Sequence, residues 1–151
     1  VVAMLLCTIF GKERVYGVMM PQGVQLDIKD SMDVCDILGI RQTIMDIGDS
    51  VNAITSQIWD KRKEIGIYPT KDMEINLPAR IRMSTLHAIG QCVDGRVINT
   101  SNLSEDMVGY ATQFGDNAGS YLNSLSGMID IKINRINVHV LGVEFPKDEL
   151  V

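Results

Sequence analysis

Residues Arg14 to Met20 (RVYGVMM) are apolar at nearly every position. A strand of that kind is buried on both faces, which requires helices above and below a parallel sheet. Pro21-Gln22-Gly23 breaks it, and Val24 to Lys29 forms a polar connection. The segments on either side carry helix and strand signals in alternation. Val1 to Phe10 reads as an apolar helix closed by Gly11, and Asp30 to Leu38 as a helix with Asp30 and Ser31 as cap candidates and Gly39 as its stop. Arg41 to Ile47 is a second strand, and Asp49 or Ser50 caps a longer helix running to about Ile65. After a polar loop from Gly66 to Glu74, Ile81, Leu86, Ile89 and Val93 share one face of a helix over Leu77 to Val93. Pro78 suits its first turn, where a missing amide costs nothing. Asp94-Gly95 turns into a strand over Arg96 to Asn99. Beyond Ser120, residues 121–128 read as loop, 129–140 as helix or strand, and Leu141 to Pro146 as a further turn.

This order predicts an α/β fold, a three-layer α/β/α sandwich with a parallel central sheet. A right-handed crossover into the first helix calls for one more strand before Val1. The chain opens without Met and stops at Val151, so the expectation is a single domain incomplete at both ends.

The net charge of −5 argues against a nucleic-acid partner, whose affinity would rest on Lys and Arg neutralising phosphates. It leaves room for a nucleotide held by backbone amides, a helix N-terminus or Mg²⁺. No apolar run reaches the ~18 to 20 residues of a membrane span. Cys7, Cys35 and Cys92, odd in number and far apart, read as reduced, buried thiols of a cytoplasmic protein. The nine Met residues are dispersed and read as core fillers, and His87 and His139 have no partner visible in sequence.

Thr100, Ser101, Asn102, Ser104, Glu105 and Asp106 arrive together just past a strand's C-terminal end. In an open parallel sheet that end is where ligands bind.

Several segments, in order, resemble the ammonia-dependent NAD synthetases, which belong to the ATP pyrophosphatases with an SGG-x-DS phosphate loop. Gly17 to Asp27 (GVMMPQGVQLD) is similar to the family's strand and adenine-side loop. Asn76 to Met83 (NLPARIRM) is similar to its N-x-x-A-R-x-R-M helix start. Thr100 to Glu105, Gly109 to Thr112 and Phe114-Gly115-Asp116 resemble its T-x-x-x-x-E, G-x-x-T and aromatic-G-D run. Val1-Val2-Ala3 looks like the residues that directly follow the phosphate loop.

The resemblance implies an adenine nucleotide alpha hydrolase-like, Rossmann-like fold. It also implies a ligase that makes NAD from deamido-NAD and ammonia through an adenylated intermediate, with ATP as co-substrate and Mg²⁺ as cofactor, acting as a homodimer. By the same resemblance Thr100, Gln25 and Met19 face ATP. Arg82, Asn76, Arg80, Gln113, Asp116 and Ser120 face deamido-NAD, and Glu105 faces the metal. No residue is assigned a catalytic role. The homodimer would be built on the Leu77 to Val93 helix, whose apolar face looks wider than one domain needs.

The chain departs from the family's pattern in three ways. It contains no SGG-x-DS loop, Gln113 stands where the family often has Lys, and Ser120 stands where it often has Asp. The 151 residues alone are therefore expected to have no synthetase activity. The alternative is a non-catalytic nucleotide-binding or dimerisation homologue. A GMP synthetase-like amidation enzyme is a third, and the NLPARIRM segment speaks against it.

Overall fold

A computed structural model describes residues 1–116, 123–125 and 140–144. In chain order these form α1 (Val2–Phe10), a 3₁₀ turn (Lys12–Arg14), β1 (Val15–Met19), α2 (Ile28–Leu38), β2 (Arg41–Ile44), α3 (Gly48–Ile65) and α4 (Lys71–Cys92). There follow β3 (Gly95–Val97), β4 (Asn99–Asn102), α5 (Leu103–Val108), β5 (Asn123–Leu125) and β6 (Val140–Glu144).

Side chains alternate across the sheet, and the two faces of β1 feed two cores. Val15 packs with Val2, Ala3, Leu6, Cys35 and Ile40, which places α1 and α2 on one face. Val18 and Met20 pack with Ile47, Val51, Met83, Leu86 and Val97, which places α3 and α4 on the other. Val15 and Val18 are essentially excluded from solvent. The three layers are those expected from the apolar run at Arg14 to Met20.

The sheet order is β2-β1-β6-β3. β1 and β2 pair in parallel, with Tyr16 opposite Arg41. β6 is antiparallel to both β1 and β3, so β1 and β3 run the same way. The sheet's fourth strand thus comes from Val140–Glu144, where the sequence reads as a turn from Leu141 onward. Its alternation is broken by Gly142, which hides the strand signal. Asn123–Leu125 pairs in parallel with β4 where loop is expected. Residues 126–139, His139 among them, lie outside the described residues.

Several element ends differ from expectation. α4 begins at Lys71, inside the expected loop, because the Thr70 hydroxyl accepts the Met73 amide at 3.2 Å and Asp72 and Glu74 fill the first turn. Pro78 consequently lies in the interior of α4, not in its first turn. It is buried there, and having no amide hydrogen it makes no helical bond back to the Glu74 carbonyl. The cap of α2 falls at Asp27, leaving Ser31 buried inside the helix, and α3 starts at Gly48 ahead of Asp49 and Ser50. β2 stops at Ile44. Removing the Thr70 cap costs about 1 kcal/mol. Thr70→Ala should lower the melting temperature by roughly 2–4 °C for a domain of this size; an unshifted calorimetric melt would show that the cap contributes nothing.

Leu77, Ile81, Met83, Leu86 and Ile89 of α4 all pack into the second core, so this face is used within the chain. Its width does not call for a second copy, and the homodimer expectation rests on the resemblance. All three cysteines are unpaired and lie in helices, but only Cys35 is buried; Cys92 is exposed at the end of α4. Burial raises the pKa of Cys35, with the charge of Asp36 adding to it, and burial raises that of Cys7. Among the described residues no helix is long and apolar enough to cross a membrane.

Candidate functional site

The chain leaves β1 at Met19 and runs on as Met20-Pro21, and the carbonyls here need partners. The Met19 carbonyl accepts the Met45 amide at 2.8 Å, and the Pro21 carbonyl accepts the Ile47 amide at 2.9 Å. The carbonyl between them, Met20, points the other way. Arg82 reaches it from α4, its Nε donating at 2.9 Å. Met83 and Leu86, buried in the core, fix the rotation of α4 that brings Arg82 to this place.

The Arg82 guanidinium is half-buried, and that burial pulls its pKa below the ordinary value. Arginine still keeps its charge in such a setting. Among the described residues its one hydrogen bond is to Met20, which leaves the two terminal nitrogens as donors. A half-buried cation of this kind is stabilised by an anion placed against it.

The segment after α5 folds back onto α4. Asp116 accepts the Thr112 amide at 2.7 Å, and the Thr112 carbonyl accepts the Gly115 amide at 2.8 Å. The Thr112 hydroxyl donates to the Asn76 side-chain oxygen at 2.8 Å, while Asn76 donates to the Asp72 carbonyl at 2.8 Å. Arg80 Nε donates to the Gln113 carbonyl at 3.1 Å. Two residues of α4 thus fix the position of this segment.

Between the end of β1, α4 and the returning segment lies a cavity of about 320 Å³. Met19, Met20, Pro21, Met83 and Leu86 give it apolar walls, and Gln25, Ser31, Arg82, Thr112 and Asp116 supply its polar groups. Its volume lies at the small end of the ~300–1,000 Å³ typical of ligand pockets. That suits one flat ring and a neighbouring anionic group, not a whole dinucleotide.

Four expected site residues meet at this cavity: Met19 and Gln25 from the nucleotide set, and Arg82 and Asp116 from the dinucleotide set. Asn76, Arg80 and Gln113 do not line it. They hold its wall from behind through the bonds just given, and the Gln113 side chain is exposed. Thr100 and Glu105 are not part of its lining. Thr100 lies past the end of β3 as expected, but within β4 of a separate two-stranded sheet, because the chain breaks at Ile98 and resumes as a second strand. Glu105 lies in the first turn of α5, and Ser120 lies outside the described residues.

No cluster of three or more His, Cys, Asp or Glu occurs among the described residues, so they hold no all-protein metal cage. Glu105, half-buried, offers one hard oxygen ligand. That fits Mg²⁺, which takes one or two carboxylates and fills its other positions with water and phosphate oxygens.

Thr112, Ser31 and the Met20 carbonyl were not singled out from sequence as site groups. Thr112 is legible only as the end of the Gly109 to Thr112 segment that carries the resemblance, and the Asp116 carboxylate closes a turn onto its amide. Ser31 reads as a helix cap and instead faces the cavity from inside α2.

The family model described as NAD synthase matches residues 1–140. The NH(3)-dependent NAD(+) synthetase of Thermococcus sibiricus is 33% identical over 120 residues, 80% of this chain and 44% of that protein. That of Pyrococcus furiosus is 34% identical over 122 residues, again 80% and 44%. Among solved structures, the NH3-dependent NAD synthetase from Campylobacter jejuni in complex with the nitrate ion superposes with a TM-score of 0.65 at 30% identity. It covers 76% of this chain and 48% of that one. The glutamine-dependent NAD+ synthetase from Acinetobacter baumannii in complex with ADP gives 0.66 at 30% identity, covering 76% and 22%. The chain spans less than half the length of these curated relatives.

Proposed function

The chain belongs to the NAD synthase family, and from that premise we propose that the protein makes NAD from deamido-NAD and ammonia at the expense of ATP. The observation that carries this reading is the half-buried Arg82, its terminal nitrogens available beside an apolar cavity at the end of β1. Such a group binds a phosphate or carboxylate in a fixed orientation. The ADP complex of the Acinetobacter relative supports an adenine nucleotide as one ligand of this fold.

In the proposed reaction the nicotinate carboxylate of deamido-NAD attacks the α-phosphorus of ATP. The bond to the bridging oxygen breaks, and pyrophosphate leaves. Ammonia then adds to the carbonyl carbon of the mixed anhydride, AMP departs with the former carboxylate oxygen, and a proton is lost to give the amide. Both reactants are anionic, so donors must offset their repulsion. Arg82 orients an anionic group of the substrate, with Met20 fixing the guanidinium. Met19 and Gln25 hold the adenine side, and Thr100 offers a hydroxyl to the nucleotide. Asp116 holds the Thr112 turn against the cavity, while Asn76 and Arg80 keep that segment in place. Gln113 and Ser120 stand on the dinucleotide side. Glu105 would hold Mg²⁺, which, when bound, neutralises triphosphate charge.

Gln113 and Ser120, standing where the family often has Lys and Asp, favour a second reading: a homologue that binds nucleotide without turnover. One experiment separates the two. The full-length protein that carries these residues, not the 151-residue chain alone, is incubated with ATP, Mg²⁺, ammonium and deamido-NAD, and NAD and AMP are quantified. Equimolar NAD and AMP support the ligase. ATP binding without AMP supports the second reading, and neither binding nor turnover overturns both.

A further inference from the structure

Beyond β1 and β2 the parallel ladder continues for two rungs, Met45 to Met19 and Ile47 to Pro21. It cannot continue normally on the other side, because Pro21 has no amide hydrogen to donate. Two residues on, the backbone amide of Gly23 finds a side-chain partner instead. It is taken up by the Asp46 carboxylate, at 3.2 Å to Oδ2 and 3.4 Å to Oδ1. The same carboxylate accepts the Gly48 amide at 2.6 Å, in the first turn of α3.

Both flanking glycines are required by this geometry. Gly23 has φ +71°, in the left-handed region. A Cβ on Gly48 would stand 2.8 Å from Asp46 Oδ1. After the Gly23 contact the chain is bare, with Val24 and Leu26 each 96% exposed. Between them Gln25 turns inward and lines the cavity.

We propose that Asp46 is a positioning residue that clips the Pro21–Asp27 loop to α3 and so holds Gln25 in the cavity wall. The ligand side of this proposal rests on the nucleotide reading given above; the clip itself does not. Asp46 does not line the cavity, so its effect on ligand passes through the loop. A charge-assisted acceptor shared by two amides is replaced by water in Asp46→Ala, and the loop then samples positions with Gln25 withdrawn.

The test uses hydrogen exchange and calorimetric ATP titration on the wild type, Asp46→Ala and Asp46→Asn. Asp46→Ala should speed exchange at Gly23 to Leu26 and leave β1 unchanged. It should also weaken ATP binding by about tenfold, the equivalent of ~1.4 kcal/mol. Asp46→Asn keeps one acceptor oxygen and should fall between the two. Wild-type exchange at Gly23 in both variants overturns the clip, as does an equal rise in β1, which would mark general loosening. Faster loop exchange with unchanged ATP affinity overturns the role toward ligand. A wild type that binds no ATP overturns the nucleotide reading, and the exchange rates then decide the clip by themselves.

Discussion

Arg82→Ala is expected to reduce kcat/KM for NAD formation by about 100-fold, a loss of roughly 2.7 kcal/mol in transition-state binding. The magnitude follows from a charged donor in a partly desolvated wall, where each hydrogen bond contributes about 1.5–3 kcal/mol. Arg82→Lys should recover little. An ammonium cannot donate to the Met20 carbonyl and present two further parallel donors at the same time. Its reach would be spent on one or the other. The measurement is steady-state kinetics with ATP and deamido-NAD varied in turn, beside a melting curve to check the fold. Full activity in Arg82→Ala would remove the anchor from the mechanism. Full activity in Arg82→Lys would show that charge alone suffices and that the Met20 bond does not orient the group.

Gly17→Val is expected to destabilise the domain by about 3 kcal/mol, the upper part of the range for overpacking a filled core. Gly17 lies at the centre of β1 and faces α2, where a Cβ would stand 2.7 Å from Cys35 Sγ. Cys35 is fully buried and has no room to yield. For a domain of this length the melting temperature should fall by roughly 6–12 °C. The cause can be isolated with the smaller change. Gly17→Ala and Cys35→Ala should each lower stability, and the double variant should be more stable than the sum of the two predicts, because removing Sγ makes space for the new methyl. Strict additivity would mean that the strand shifts as a whole.

What could be read from the sequence is the part governed by periodicity and by local stops. The unbroken apolar run at Arg14 to Met20 required cover on both faces, and two cores meet it there. Gly11, Gly39 and Gly66 end their helices at the expected places. The errors arise where tertiary contact outweighs a local rule. Pro78 reads as a helix start, yet Thr70 had already begun that helix two turns earlier. β6 has a glycine in its middle and a partner on each side, and only the pairing makes it a strand. In the site, Met19, Gln25, Arg82 and Asp116 came from the resemblance and converge on one cavity. The Met20 carbonyl and Asp46 were out of reach of any sequence pattern. One is a backbone atom, and the other acts on a loop 23 residues away.

The bond from Arg80 to the Gln113 carbonyl separates where residue 113 sits from what residue 113 is. The main chain is tethered there, and the side chain projects into solvent without taking part in the tether. Position 113 is therefore a seat that the fold holds whatever side chain occupies it, so a change there alters what is presented and not where it is presented. Its chemistry can drift across descendants, or be rewritten by design, while the backbone that presents it keeps the same address.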